Sequence, residues 1–377
     1  MKRNINIYIA LIIITALIFS LLTIFAFGQE SNHKISISAR SAALYQPETD
    51  TFLYLKNSNN TMPMASTTKI MTALIATERA QLSDVVIIDK NAVGIEGSSA
   101  YLKEGEKLTM EELLYALLLQ SANDAAVAIA YHIGGDLQRF VSLMNDKAES
   151  LGLKNTHFTN PHGLDNEEHY TTAEDLAKIA AEALKNETFR TIASTYKKTF
   201  SSAERSRTYV NHNKLLRMYD GCIGIKTGFT KRSGRCLVSA AERDGLSFIS
   251  VTLDAPSDWS DHKKMLDLGY DTMEKVVLSQ ENEYCYKIPV INGENDSLRV
   301  INSDELSIIT EKTKNTPESR VKLVRYAIAP INEGDILGEV IFTTEGKEVG
   351  RINLVAAETI PERRNTSFFN KIISFFT

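Results

Sequence analysis

Three short polar runs set in apolar surroundings carry the residues able to do chemistry. Ser66-Thr67-Thr68-Lys69 opens a helical stretch behind Pro63-Met64-Ala65. Residues i and i+3 share a helix face, so the Ser66 hydroxyl and the Lys69 amine point into one space. The free N–H groups of a first helical turn make that space positive, which favours an alkoxide at Ser66 and disfavours a charged Lys69. A hydroxyl is a poor nucleophile until a base takes its proton, and a desolvated neutral lysine can do so. Taken alone, the pair is better explained as an N-capping serine with a surface lysine. Ser121-Ala122-Asn123, one residue past Leu117-Leu118-Leu119, interrupts two apolar stretches. The Ser121 hydroxyl can relay a proton, and the Asn123 amide can bind a substrate carbonyl or hold a lysine. The simpler reading is a cap for the helix that starts at Asp124. Lys226-Thr227-Gly228 ends the strand-like run Cys222–Ile225. Glycine there lets another chain approach the strand edge, as β-strand addition requires. Lys226 and Thr227 then offer a charge and a hydroxyl to an anion such as a terminal carboxylate. A turn after a strand explains that run equally simply.

The elements that must hold these residues follow from periodicity. Ile35–Ala43 and Thr51–Leu55 read as strands around a turn at Gln46–Asp50. From Ser66 to about Ala180 the apolar spacing is helical, notably in Ile70–Ala80, Met110–Leu119 and Asp124–Ile133, the last stopped by Gly134-Gly135. Short β-like runs follow at Gly221–Lys226, Arg235–Ala241 and Leu246–Leu253, and Lys263–Leu278 reads as a closing helix. Strands at both ends with helices between permit one antiparallel sheet shared by distant segments. Beyond Leu278 six runs alternate in strand fashion from Tyr284 to Ala356, with a hairpin turn at Glu345-Gly346.

Together, Ser-x-x-Lys, Ser-x-Asn and Lys-Thr-Gly, about 55 and about 105 residues apart on helix, loop and strand, form the pattern of penicillin-interacting serine enzymes. Met62–Ala73, Gln120–Ala126, His162-Gly163-Leu164-Asp165 and His169–Ala177 resemble the D-alanyl-D-alanine carboxypeptidases, the low-molecular-mass penicillin-binding proteins of serine peptidase family S11. The resemblance runs from about Ile35 to Leu278. It implies an α/β (α+β) β-lactamase/transpeptidase-like domain, an antiparallel sheet with a helical cluster, followed by a small all-β domain. It implies Ser66 as the acylated nucleophile, Lys69 as its base and Ser121 as a proton carrier. Asn123, Lys226, Thr227 and Gly228 would hold substrate, and the N–H groups of Ser66 and Phe229 would form the oxyanion hole. The implied substrates are peptidoglycan stem peptides ending in D-Ala-D-Ala, with β-lactam antibiotics as slow acylating agents and no metal or cofactor. Some relatives place an arginine after the strand that follows Lys-Thr-Gly. Asp254–Lys263 holds none, leaving the carboxylate to Lys226 and Thr227. A β-lactamase would share the three motifs but need a carboxylate placed for rapid deacylation, and a non-catalytic wall-binding protein would not need Ser66 at all.

The ends and the composition bound the setting. Lys2 and Arg3 precede an apolar run from Ile7 to Phe27, with small residues at Ala26 and Gly28 before Gln29. This reads as a signal peptide over residues 1–28, or a retained anchor, and places the body outside the cytoplasm. Phe368, Phe369, Ile372, Ile373, Phe375 and Phe376 fall on an arc of about 160° behind Arg363 and Arg364, the pattern of an interfacial anchor over residues 361–377. Docking on the protein's own core is the other reading of that stripe. The expected divisions between are a catalytic domain at 29–278 and a β domain at 279–360. The chain has 377 residues and a net charge of −5; without residues 1–28 the body is about −7, which gives no basic field for nucleic acid. His157, His162 and His169 with Asp165 lack the helical i,i+4 spacing of a zinc hydrolase. Three cysteines, Cys222, Cys236 and Cys285, are too few for a disulfide scaffold; Cys222 and Cys236 lie on runs that should be neighbouring strands and read as buried free thiols, a cross-strand bridge being the other reading.

Overall fold

Segments about 200 residues apart in sequence meet in one sheet. In the computed structural model, which describes residues 35–201 and 206–363, Ser41–Gln46 lies between Thr51–Lys56 and Leu246–Leu253, antiparallel to both. Gly234–Arg243 and then Cys222–Thr230 complete the five strands, with Cys222–Thr230 at the edge. Flanked on both sides, Ser41–Gln46 is buried along its whole length. It begins six residues later than the expected strand at Ile35. The reason is Asp261, whose carboxylate accepts from the Ser38 N–H and hydroxyl and from the Ala39 N–H, taking those groups out of any ladder.

The helices pack on the sheet. Lys69–Arg79 is buried without interruption from Lys69 to Ala76, which places it inside the helical cluster. Met110–Leu119 starts where the Thr109 hydroxyl accepts from the Glu112 N–H, and Ala173–Leu184 where Thr172 accepts from Asp175. Leu113, Leu114, Leu117, Leu118 and Leu119 are essentially unexposed, each worth about 1.5–3 kcal/mol of burial. Asn123–Gly134 ends at Gly135, whose φ of +79° suits glycine. A hairpin of Lys197–Ser201 with Ser206–Val210 had no counterpart in the sequence reading.

The backbone divides into two units. One runs to Arg243 and takes up Ser247–Gly269; the other holds Asp244–Leu246 and the described residues from Tyr270 onward. The closing helix is Asp258–Thr272, and Met273–Ser279 is a strand paired with Leu306–Glu311. The expected helix to Leu278 therefore stops six residues short. Val276 and Val277, β-branched, sit opposite Ile308 and Ser307, and cross-strand packing overrides the helical spacing. The division accordingly falls before the expected 278/279 boundary. The second unit is a six-stranded sheet, from Glu318–Leu323 through Ile336–Thr344, Lys347–Ala356, Ser297–Ile301 and Cys285–Ile291 to Ala327–Ile328. Its core holds Leu298, Val300, Val340 and Leu354. Positive φ at Glu345 and Gly346 closes the Ile336–Thr344 hairpin.

The expected signal segment and nearly all of the expected terminal helix lie outside the described residues. Among those described, no helix is long and apolar enough to cross a membrane.

Candidate active site

Ser66 does not open an α-helix. It sits in the short 3₁₀ turn Ala65–Thr68 that leads into Lys69–Arg79, and 3₁₀ geometry brings i and i+3 even closer into line. The turn is strained at Ala65, whose φ is +48°, a conformation costing a non-glycine residue about 1–3 kcal/mol. Side chains hold it there. Thr67 Oγ1 donates to the Met64 carbonyl (2.6 Å) and Thr68 Oγ1 to the Ala65 carbonyl (2.8 Å). His169 Nδ1 accepts from the Thr159 N–H at 3.0 Å, so its proton resides on Nε2 and is donated to Thr68 Oγ1 at 2.7 Å. Burial lowers the His169 pKa to about 4, which keeps this neutral tautomer at ordinary pH. Gly163, at φ +91°, lies so close that a Cβ would stand 1.9 Å from the Ala65 carbonyl oxygen.

Lys69 is completely buried. Its Nζ lies 3.0 Å from Ser66 Oγ, 2.7 Å from Asn123 Oδ1 and 2.5 Å from the His162 carbonyl. Burial is the largest influence on its pKa, followed by the neighbouring Lys226 charge; both push it well below the usual lysine value, against a smaller opposing effect of Asp124. An ammonium would donate to all three oxygens. The neutral amine has two N–H groups for Asn123 and His162, which leaves its lone pair for the Ser66 O–H. Asn123 is oriented by its own Nδ2, which donates to the Glu96 carbonyl, and by its N–H on Ser98 O at 2.8 Å. Buried Asp124 accepts from the Ala100 and Leu102 N–H groups and the Ser99 hydroxyl, fixing the 99–102 loop against the start of its helix. Ser121, at φ +61°, is 5% exposed and lines the same cleft as Ser66.

The strand edge completes the arrangement. Lys226 is buried, its Nζ donates to its neighbour's carbonyl, Thr227 O, at 2.9 Å, and burial lowers its pKa to about 7. A Cβ on Gly228 would lie 3.0 Å from Ser66 N, 3.1 Å from Ala65 Cβ and 3.2 Å from Met64 O, so only glycine lets the edge strand and the serine turn come this close. Phe229, the next residue, is 66% exposed. Ser66, Ser121, Thr227, Gly228 and Phe229 thus border one cleft of about 560 Å³. Lys69 and Asn123 are buried behind Ser66, and Lys226 beside Thr227. All eight residues singled out in the sequence are brought together.

Other parts of the site carry no distinctive signal in the sequence. The His162 carbonyl that receives Lys69 is a backbone group, and no residue type announces it. Thr72 Oγ1 ties the same loop down by donating to the Pro161 carbonyl at 2.6 Å. Arg235, Asp258 and Trp259 also line the cleft, and only the sheet register puts Arg235 opposite Phe229. Cys222 pairs with Ala241 while Cys236 pairs with Gly228, and both are free.

A hydroxyl, a buried amine with a spare lone pair and a strand edge open to a peptide define an acyl-transfer site on a helix-and-sheet scaffold. Residues 28–257 match the D-alanyl-D-alanine carboxypeptidase family model, and residues 274–362 match the model of the penicillin-binding protein 5 C-terminal domain. The chain belongs to the D-alanyl-D-alanine carboxypeptidase family of serine peptidases. It is 33% identical over 355 residues to the D-alanyl-D-alanine carboxypeptidase DacF of Bacillus subtilis, covering 91% of each chain. It is 31% identical to DacA of Escherichia coli, over 90% of this chain and 87% of that one. Penicillin-binding protein 5 of Haemophilus influenzae superposes with a TM-score of 0.65 at 28% identity, covering 88% of this chain and 99% of that one. The Streptomyces K15 DD-transpeptidase superposes at 0.60 with 37% identity, covering 63% of this chain and 99% of that one. The chain is thus a serine-type D-Ala-D-Ala carboxypeptidase, of a family that acts on peptidoglycan stems and binds β-lactams.

Proposed function

We propose that Ser66 is the acylated nucleophile and Lys69 its general base. The stem peptide lies as an added strand along Lys226–Phe229, with the penultimate D-alanine carbonyl at Ser66. Lys69 takes the Ser66 proton as Oγ attacks that carbonyl, and the Ser66 and Phe229 N–H groups receive the developing oxyanion. Such a donor is commonly worth about 3–4 kcal/mol. The proton passes through Ser121 to the departing amine, the C–N bond breaks and D-alanine leaves. Water then enters, gives a proton to Lys69, and its oxygen displaces Ser66 from the ester; the proton returns to Ser66. Asn123 holds the Lys69 amine from behind, and Lys226 and Thr227 meet the terminal carboxylate. The observation that carries this reading is the set of contacts at Lys69 Nζ, which leaves a neutral amine only one use for its lone pair.

A β-lactam presents the same carbonyl and carboxylate and acylates Ser66. The acid bordering the cleft is Asp258, already tied to Arg235 at 2.8 Å, so it is not placed to speed deacylation as a β-lactamase requires. The work is done outside the cytoplasm after export by residues 1–28, with the Phe368–Phe376 stripe laid on the outer face of the membrane. The test is to incubate the protein with a D-Ala-D-Ala pentapeptide and, separately, with labelled penicillin. Stoichiometric release of D-alanine and a penicillin mass on the Ser66 peptide are expected, both lost in Ser66→Ala. A label on another residue, or release by Ser66→Ala, overturns the assignment.

A further inference from the structure

We infer that Arg235 supplies the fixed positive charge that holds the substrate's terminal carboxylate, a role the sequence reading left to Lys226 and Thr227. This rests on the acyl-transfer reading above and adds a residue to it. Phe229 stands opposite Arg235 and Thr227 opposite Leu237 in the ladder, so Thr227, Phe229 and Arg235 project from one face. Arg235 is then the diagonal neighbour of Thr227, about 7–8 Å between Cα atoms, a span that a long side chain covers. Both border the cleft that also holds Ser66.

Lys226 is a poor candidate for sole carboxylate holder. It is buried, one of its N–H groups is spent on Thr227 O, and burial lowers its pKa to about 7, so it loses its charge near neutrality and is a weak anchor for an anion. An arginine keeps its charge. Arg235 is also held in place. Its Nε and Nη2 fork onto Asp258 at 3.1 and 2.8 Å, and its guanidinium lies 5.7 Å from the Trp259 ring centroid. Asp258 is 3% exposed, whereas Arg235 is 44% exposed. The anchoring acid is therefore inside and the guanidinium's remaining N–H groups face outward. No hydrogen bond occupies Nη1 among the described residues. A guanidinium already fixed in this way has little freedom left to lose on meeting a carboxylate. The cleft border carries Lys214, Arg217 and Arg235 against the single acid Asp258, a cationic rim on an acidic protein.

The experiment compares D-Ala-D-Ala peptide as free acid with its C-terminal methyl ester, reading release of D-alanine or its ester. The wild-type protein should favour the acid in kcat/KM, mainly through KM. Arg235→Ala should shrink the acid-to-ester ratio ten- to hundredfold, and Asp258→Asn, which frees the guanidinium, by a smaller factor. Arg235→Lys keeps a charge but not the fork, and should recover less than half of that preference on a logarithmic scale; it also serves if the alanine variant does not fold. An unchanged acid-to-ester ratio in Arg235→Ala or Arg235→Lys overturns the inference. Absence of D-alanine release by the wild-type protein strikes the acyl-transfer reading instead.

Discussion

In the proposed mechanism Lys69 is the side chain on which the chemistry turns, and burial, then the Lys226 charge, push its pKa well below the usual lysine value. Lys69→Arg keeps a cation that cannot act as a base. Its acylation rate by penicillin, followed by stopped flow, should fall about 10²–10⁴-fold, the usual worth of a general base; a rate within threefold of wild type would contradict the assignment. The Ser66–Lys69 spacing was visible in the sequence because both residues have distinctive chemistry at helical spacing. The third partner of the amine, the His162 carbonyl, was not visible, since every residue has a carbonyl. The histidine itself drew notice as a metal candidate, whereas its ring accepts from Leu164 N and burial lowers its pKa to about 3.

At the scale of elements, two close backbone approaches set the geometry. Gly228→Ala places a methyl 3.0 Å from Ser66 N, and the edge strand or the serine turn must shift by a few tenths of an ångström. Since small misplacements of reacting groups are costly, kcat/KM should drop about ten- to hundredfold with the melting temperature little changed. Gly163→Ala is harsher, with a positive φ and a 1.9 Å clash on the Ala65 carbonyl. Thermal unfolding should register it as a loss of about 2 kcal/mol or more, and an unaltered melting temperature would show that the loop does not brace the serine turn. Segment types were legible where helical periodicity was long, as in Met110–Leu119, and where short β-like runs were bounded by turn residues, as in Leu246–Leu253. They were misread where two neighbouring elements share apolar character: Met273–Ser279 continues the helical spacing of Asp258–Thr272, and only its pairing with Leu306–Glu311 makes it a strand. The place of Arg235 beside the cleft was likewise a matter of register, which no single run of sequence states.

For the whole molecule, neutral histidines kept from water, His169 and His262 fully and His162 in part, set the response to acid. His162, His169 and His262 have pKa values lowered by burial to about 3, 4 and 3. The unfolded chain takes up protons near pH 6.5 while the folded one refuses them, so stability is lost as pH falls from about 6.5 towards 4. Lys226, near 7 when folded and near 10.5 when unfolded, adds stability as pH rises through that interval. Melting temperature should therefore climb steadily from pH 4 to pH 7, and a flat profile would mean that these histidines are charged in the folded state. At the far end, deleting Phe368–Thr377 should release the protein from vesicles of anionic phospholipid, read by sedimentation, while D-alanine release in solution is retained. Retention on the vesicles would remove the anchor from the account.

The most direct test is the titration of Lys69 itself, followed by carbon NMR of lysine-labelled protein with Lys69→Arg used to assign its resonance. The account predicts that Lys69 loses its proton well below the ordinary lysine range, and that the rate of Ser66 acylation rises with the same midpoint. A Lys69 resonance that stays protonated to pH 10 while Ser66 is acylated at neutral pH would contradict it.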